Sequence, residues 1–402
     1  MGLLVGWGIG GAAGSLLAAG LSSPAAEAHA VPSSPVLQYP CRPWRAALLP
    51  LRAFAASWNA LICSSAEQSQ EAVAQGFPSS VRRGRRAGWW RVVALALLGS
   101  AGPGAAAAAG CVNAAAVNLR PVGPNLWRVA AARGEPDASN AGLTAQLVVV
   151  RDGARVWLIG SGPTPAFGAA LACAVEHRLG RAVTDVVNTR PAPELAMGNV
   201  AFAGARLWAL PDVIATMQAR CLGCLERLQA RIGAAGASLR PEHIRVPALP
   251  VGAPGTARGV LGPFAWRAFE RAPGERVLVL RHRRERIVVA QGLLWAGDVP
   301  DLRDTRSATL RASLRALRRF AAGARLLGEQ GGVAGPSAVA QQIAYIDALR
   351  RAAWPHLVRG DVDGAAGAGV ELPAFAGLPG YARLHRLNVQ RVWRELEPTI
   401  FR

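Results

Sequence analysis

The sequence predicts an α/β protein, specifically an αββα sandwich in which helices cover the outer faces of two packed sheets. Two patterns carry this expectation. Short β-rich runs come first in hairpin order, and strand-like and helix-like segments then alternate to the C-terminus. At 51% hydrophobic and 17% charged residues, the chain is also too apolar for a disordered protein. Its 402 residues suffice for a substantial core and for two or three domain-sized units.

The elements follow in order from about Leu119. Leu126-Trp-Arg-Val-Ala, Ala145-Gln-Leu-Val-Val-Val and Val156-Trp-Leu-Ile are β-rich and bounded by Gly or Asp, as strands are. Asp152-Gly153 between the last two signals a hairpin turn. Pro165 to Leu179 reads as a helix, with Phe167, Leu171, Ala174 and Val175 on one apolar face. Strands are expected at Thr184-Asp-Val-Val-Asn-Thr and Ala205-Arg-Leu-Trp-Ala, and Asp212 as the cap of a helix to about Ile232. Further strands are expected over 277–281 and 287–290 and at Leu294-Trp-Ala-Gly-Asp, then helices over 307–320, 337–353 and 380–396.

The first 110 residues read differently. Val81-Arg-Arg-Gly-Arg-Arg-Ala-Gly-Trp-Trp-Arg, then Val92-Val-Ala-Leu-Ala-Leu-Leu and small residues to Gly110, have the order of a secretory signal. The apolar part is shorter than the roughly 20 residues that span a bilayer. Met occurs only at positions 1, 197 and 217. Residues 1–80 are therefore expected to be an over-extended or unstructured segment, 81–110 an export signal, and 111–402 the mature, periplasmic domain. The competing arrangement keeps 1–80 and makes 82–98 a membrane anchor. Ala108-Ala109-Gly110-Cys111 resembles a lipoprotein cleavage box lacking its usual Leu. A membrane association is thus expected only through an uncleaved signal or a lipidated Cys111. The Arg pairs at 82–83 and 85–86 fit a twin-arginine signal poorly, and the Gly-rich run 2–20 makes a poor transmembrane helix.

The formal charge is +20, and all 45 cationic side chains are Arg. Residues 1–80 are neutral, 81–110 carry +5, and the remaining 292 residues +15. After residue 110 the Arg are scattered with no basic-aromatic stripe, so nucleic-acid binding is not expected. An acidic periplasmic protein partner is compatible with this surface, and such steering weakens with salt.

Several stretches, in this order, carry a resemblance: Leu158-Ile-Gly-Ser-Gly, Val186-Val-Asn-Thr-Arg-Pro-Ala-Pro-Glu-Leu-Ala-Met-Gly-Asn, Leu294-Trp-Ala-Gly-Asp, Gly328-Glu-Gln-Gly-Gly-Val, and the C-terminal Leu384-His-Arg-Leu-Asn-Val-Gln-Arg-Val-Trp-Arg-Glu-Leu-Glu. Over residues 119–400 the chain resembles the metallo-β-lactamase superfamily, closest to the exported hydrolase-like proteins of quinoprotein relay systems. The resemblance implies a zinc site of imidazoles and carboxylates with one position open for a water. Carried over one by one, the ligand positions fall on Arg190, Ala192, Glu194, Leu195, Arg271, Asp298 and Gln330. Only Glu194 and Asp298 can ligate a hard cation well. Arg190 and Arg271 stay protonated and repel one. No cofactor is therefore expected, and zinc returns only if this correspondence is wrong.

Glu194 and Asp298 without a metal would be uncompensated charges. Arg190 and Arg271 are expected either to pair with them through bidentate guanidinium–carboxylate bonds or to point to solvent. His177 and His385 are expected on helices as surface or packing residues, and His243 and His282 as solvated. Ser161 has no base placed to activate it. Gly160-Ser-Gly162-Pro163 is not a dinucleotide loop, because no x-x-Gly follows. Cys221 and Cys224, at i and i+3 of one helix, are expected to form a short disulfide in an oxidising compartment, and Cys173 to be a buried thiol. The resulting expectation is a non-catalytic binding or accessory protein. The competing classes are a metallohydrolase of thioester, lactone or β-lactam-like bonds, which needs either a different ligand correspondence or a single metal on Asp298 and Glu194, and a degraded paralogue without a role.

Overall fold

The structure is a computed structural model describing residues 111, 117–361 and 369–400; the expected segments 1–80 and 81–110 lie outside the described residues. Two sheets form its centre. The first has seven strands in sequential order: β1 (Arg120–Gly123), β2 (Leu126–Val129), β3 (Leu147–Asp152), β4 (Arg155–Ile159), β5 (Asp185–Val187), β6 (Arg206–Ala209) and β7 (Leu249–Pro250). β1 to β4 are antiparallel and β4 to β7 parallel. Next along the chain are β8 (Arg258–Leu261), β9 (Phe264–Ala272), β10 (Glu275–His282), β11 (Ile287–Val289), β12 (Trp295–Ala296), β13 (Arg325–Leu327), β14 (Gln330–Gly331) and β15 (Val333–Ala334). The second sheet runs β15-β13-β11-β10-β9-β8, and β12 pairs with β14 in a short parallel ribbon.

The period-2 alternation of strand side chains sorts the core into three apolar layers. Val148, Val150, Trp157 and Ile159 of the first sheet share one cluster with Leu278, Leu280, Ile287 and Val289 of the second, so these faces pack on each other. The opposite face of the first sheet, Leu147, Val149, Val156 and Leu158, meets Leu171 and Val175 of helix α1 (Pro165–Leu179). The opposite face of the second, Val277, Val279, Val288 and Leu326, is covered by three helices after the intervening α2 (Pro193–Ala196) and α3 (Pro211–Ile232): α4 (Ser307–Phe320), α5 (Pro336–Val358) and α6 (Tyr381–Leu396). α4 buries Leu310, Leu314 and Leu317, which share a face at spacings of three and four residues. The layers are α-β-β-α, as expected.

Local chemistry sets the boundaries. Thr164 caps α1 by accepting from Phe167 N at 3.1 Å, Pro165 opens it, and Gly180 ends it at φ 63°, as the left-handed helix terminus requires. Gly153 takes φ 59° in the β3–β4 hairpin. Asp212 is not the cap of α3: Leu210 holds that place and Pro211 begins the helix. Asp212 in the first turn instead pairs with Arg276 of β10, tying α3 to the second sheet. The expected strand at Leu294–Asp298 shrinks to Trp295–Ala296, because the chain turns at Gly297, at φ 82°, and Asp298 N donates back to Trp295 O at 3.4 Å. Among the described residues no helix is long and apolar enough to cross a membrane.

Cys173 is not a free thiol. It forms a disulfide with Cys111, with Cα atoms 5.5 Å apart, which ties Cys111 to α1 and engages the sulfur that lipidation of Cys111 would need. Cys221 and Cys224 are both free, contrary to the expected bond between them. They lie in the interior of α3, whose regular backbone keeps consecutive turns apart, and Arg227 donates to Cys224 Sγ at 3.2 Å.

A candidate binding cavity at the ends of the parallel strands

The parallel strands of both sheets end at one place. Gly160 and Ser161 follow β4, Asn188 to Arg190 follow β5, Gln291 and Gly292 follow β11, and Gly328 and Glu329 follow β13. Ligand crevices form outside such C-terminal strand ends. Side-chain and backbone hydrogen bonds bolt the two sheets together here. Thr189 Oγ1 donates to Gln291 Oε1 at 2.6 Å, and Leu278 N donates to Thr189 O at 2.9 Å. Gln146 N donates to Glu329 O at 2.9 Å. The result is a polar cavity of about 110 Å³ whose lining includes Arg190, Glu194, Arg271, Trp295, Glu329 and Gln330.

Arg190 enters this cavity from the end of β5. It does not point to solvent, and its partner is neither Glu194 nor Asp298. Its Nε and Nη2 reach the carboxylate of Glu329, and the same carboxylate accepts from Gly292 N at 2.7 Å. The Arg190 side chain is 18% exposed and that of Glu329 5%. Burial alone would depress the Arg190 pKa, but the charges of Glu329 and Glu194 outweigh it and raise it above the ordinary arginine value. Glu329 was missed in the sequence because Gln330 beside it carries the ligand position. The signal was present: two adjacent polar residues one glycine beyond the apolar Leu326-Leu327 end of a strand.

Asp298 is held by Arg133, whose Nε lies 3.2 Å from both carboxylate oxygens. The expected pairing with Arg190 or Arg271 therefore fails: Arg133, from the loop before β3, holds this carboxylate, and Arg190 is committed to Glu329. Arg271 makes one weak contact from Nη2 to Arg303 O at 3.3 Å. Burial, then the neighbouring charge of Arg190, pushes its pKa down to about 10, so it remains a cation at neutral pH. Gln330 is committed to backbone, its Nε2 donating to Gly134 O at 3.0 Å and Thr144 O at 2.9 Å. Ala192 and Leu195 are buried in the apolar cluster under α1. Leu195 packs over Gly160: a Cβ built on that glycine, at φ 77°, would lie 2.6 Å from Leu195 Cδ2.

These residues do not suit a metal ion. A guanidinium lines the cavity, Leu195 is buried in the apolar cluster under α1, Asp298 is taken by Arg133, and the Gln330 amide is spent on carbonyls. Among the described residues no three His, Cys, Asp or Glu side chains come together as a ligand set. The histidines lie elsewhere. His282 is buried rather than solvated, 5.5 Å from the Phe264 ring centroid and accepting from Glu285 N at 3.0 Å; burial depresses its pKa. His385 is a packing residue, stacked on Tyr381 at 4.3 Å and within 3.2 Å of Tyr345 Oη. Ser161 is fully buried and donates to Asn199 Oδ1 at 2.7 Å, which gives it a structural partner and no base.

No family model matches the chain, and no curated protein matches it. Solved structures do. One from Hirschia baltica is 12% identical over 57% of this chain and 97% of its own, with a TM-score of 0.45. One from Erythrobacter litoralis is 15% identical over 57% and 96%, TM-score 0.46. One from Pontibacter korlensis is 10% identical over 57% and 99%, TM-score 0.45. All three are metallo-β-lactamases. The sandwich itself is established here by strand order and by the alternation of core residues across the two sheets, independently of these likenesses.

Proposed function

We propose that this chain is an exported protein of the metallo-β-lactamase superfamily whose metal cavity has become a charge-paired binding pocket. On this reading it is a non-catalytic accessory or binding protein associated with a periplasmic quinoprotein oxidation system. One observation carries the reading: Arg190, at the first ligand position of the resemblance, lies inside the cavity and is bonded to Glu329. A fixed cation there opposes a second one by direct repulsion. The net charge of +15 over residues 111–402 suits an acidic protein partner, with association that weakens as salt rises.

The test is metal content by elemental mass spectrometry on protein expressed with added zinc. Well under one equivalent is expected, together with no hydrolysis of thioester, lactone or β-lactam substrates. Near-stoichiometric zinc or iron would overturn the proposal and make the chain a metallohydrolase.

A further inference from the structure

Helix α3 carries three sulfur atoms. Met217, Cys221 and Cys224 stand four and then three residues apart, so they share one face of the helix. All three line a second cavity, of about 460 Å³, which has Arg190 and Arg271 in common with the first. Met217 and Cys221 are buried, and Cys224 is partly exposed. Both thiols are free, and they lie near enough for Cys224 to act electrostatically on Cys221. Arg227 donates to Cys224 Sγ at 3.2 Å.

This spacing suits a bridging ion better than a disulfide. A direct bond needs sulfurs about 2.05 Å apart, and the regular helix keeps Cys221 and Cys224 from making it. Metal–thiolate bonds are about 2.3 Å long, so one ion can join sulfurs separated by up to about 4.6 Å. Side chains on adjoining helical turns, with Cβ atoms about 5–6 Å apart, come within that reach. The donors also select the ion. Thiolate and thioether are soft and favour Cu(I) over harder cations. Zinc closes a structural site with four ligands, and no three His, Cys, Asp or Glu side chains group together among the described residues. A monovalent ion on two thiolates leaves one negative charge, which the Arg227 guanidinium beside Cys224 offsets.

We propose that Met217, Cys221 and Cys224 form a binding site for Cu(I), with the two thiolates as principal ligands and the Met217 thioether as a third donor. Each thiol releases its proton to solvent as its sulfur binds, and neither sulfur changes oxidation state. Cys224 meets the ion at the solvent side, and Cys221 and Met217 enclose it from the apolar side of the helix. The inference is independent of the reading of the Arg190 cavity, since every ligand stands on α3.

The experiment is anaerobic competition for Cu(I) between the full chain and the chromophoric chelator bicinchoninate. The wild-type protein is expected to withdraw at least one equivalent, and X-ray absorption at the copper edge to show a shell of sulfur alone. Cys221→Ser and Cys224→Ser should each weaken copper by more than about 100-fold, beyond the 10- to 100-fold typical of changes outside the ligand shell. Met217→Leu, close in volume, should weaken it by about tenfold; unchanged affinity would overturn the third donor. Cys41 and Cys63 stay in place throughout, so the variants report on α3 alone. Circular dichroism melts establish that each variant is folded, and Cys224→Ser, at the partly exposed position, decides if Cys221→Ser is not. Copper left on the chelator by the folded wild type overturns the proposal, as does a Cys221→Ser/Cys224→Ser protein that withdraws as much as wild type. Either result leaves the reading of the Arg190 cavity standing, because that reading is tested by zinc and iron content.

Discussion

The carboxylate of Glu329 is shared between the Arg190 guanidinium and the backbone N–H of Gly292, the latter at 2.7 Å. One side chain thereby joins the end of β5 in the first sheet to the turn after β11 in the second. Replacing Glu329 by Gln leaves Arg190 a buried cation without its counter-charge. A loss of roughly 3 kcal/mol is expected, read from the urea midpoint at unchanged slope. Arg190→Met in the Glu329→Gln background should recover at least half of that loss, since it removes the orphaned charge.

Asp185 on β5 is a second charged knot, with no exposed surface. It accepts from Arg155 at 2.6 and 3.0 Å, from Trp208 Nε1 at 2.9 Å, from Thr184 Oγ1 at 2.8 Å and from Arg206 Nη2 at 3.2 Å. Burial would raise its pKa, but the bonds from Arg155, Trp208 and Thr184 outweigh that and hold it below the ordinary carboxylate value. Such a group contributes its stability above the unfolded-state pKa, about 3.9, and the contribution is lost as pH falls through the lower folded-state value. Stability profiles of wild type and Asp185→Asn should therefore lie about 2 kcal/mol apart at pH 7 and converge in strong acid. Parallel profiles down to the acid limit would refute this.

Non-reducing peptide mapping should recover a Cys111–Cys173 linked peptide, with Cys221 and Cys224 both open to alkylation after unfolding. The closed loop spans a sequence separation of 62 residues, so reduction, or Cys173→Ser, is expected to cost about 2–4 kcal/mol. In the folded protein Cys224 should react first. Cys221 is buried and its thiol pKa is pushed up to about 11 by that burial, with the neighbouring Cys224 adding to the shift, which lowers its thiolate fraction at neutral pH.

Gly160→Ala introduces a side chain at φ 77° and against Leu195 and Leu147. Left-handed strain of about 1–2 kcal/mol adds to an overpacking cost of about 1–3 kcal/mol. The same substitution in a Leu195→Ala background should cost only the strain. Thermal melts of the four proteins form a double-mutant cycle, and strict additivity would show that the two residues do not compete for the same space.

Much of the fold was legible in the sequence because apolar periodicity is a local signal. α1 and α4 have the bounds expected for them, and the continuous apolar runs of β3, β4, β10 and β11 mark strands buried on both faces. β9 was overlooked although Phe264, Trp266 and Phe269 mark it, because Arg and Ala between them blur the pattern. The cavity was legible only in part. Arg190 could be singled out from one segment, by the resemblance, but its partner Glu329 lies 139 residues away, and Arg133 reaches Asp298 from 165 residues away. Such pairings depend on which loops the two sheets bring together. The Cys111–Cys173 bond was hidden for the same reason, whereas Cys221 and Cys224, close in sequence, suggested a bond that the helix between them does not make.

The packing of Leu195 over Gly160 also constrains the order in which this sequence can change. An aspartate placed at 160 meets the leucine and a backbone shaped for glycine, and a histidine placed at 195 loses the apolar seat that Leu147 and Gly160 provide. Each step alone is penalised. The two positions can therefore change only in sequence: Leu195 has to shrink before position 160 can accept a side chain, and the left-handed backbone there resists even then.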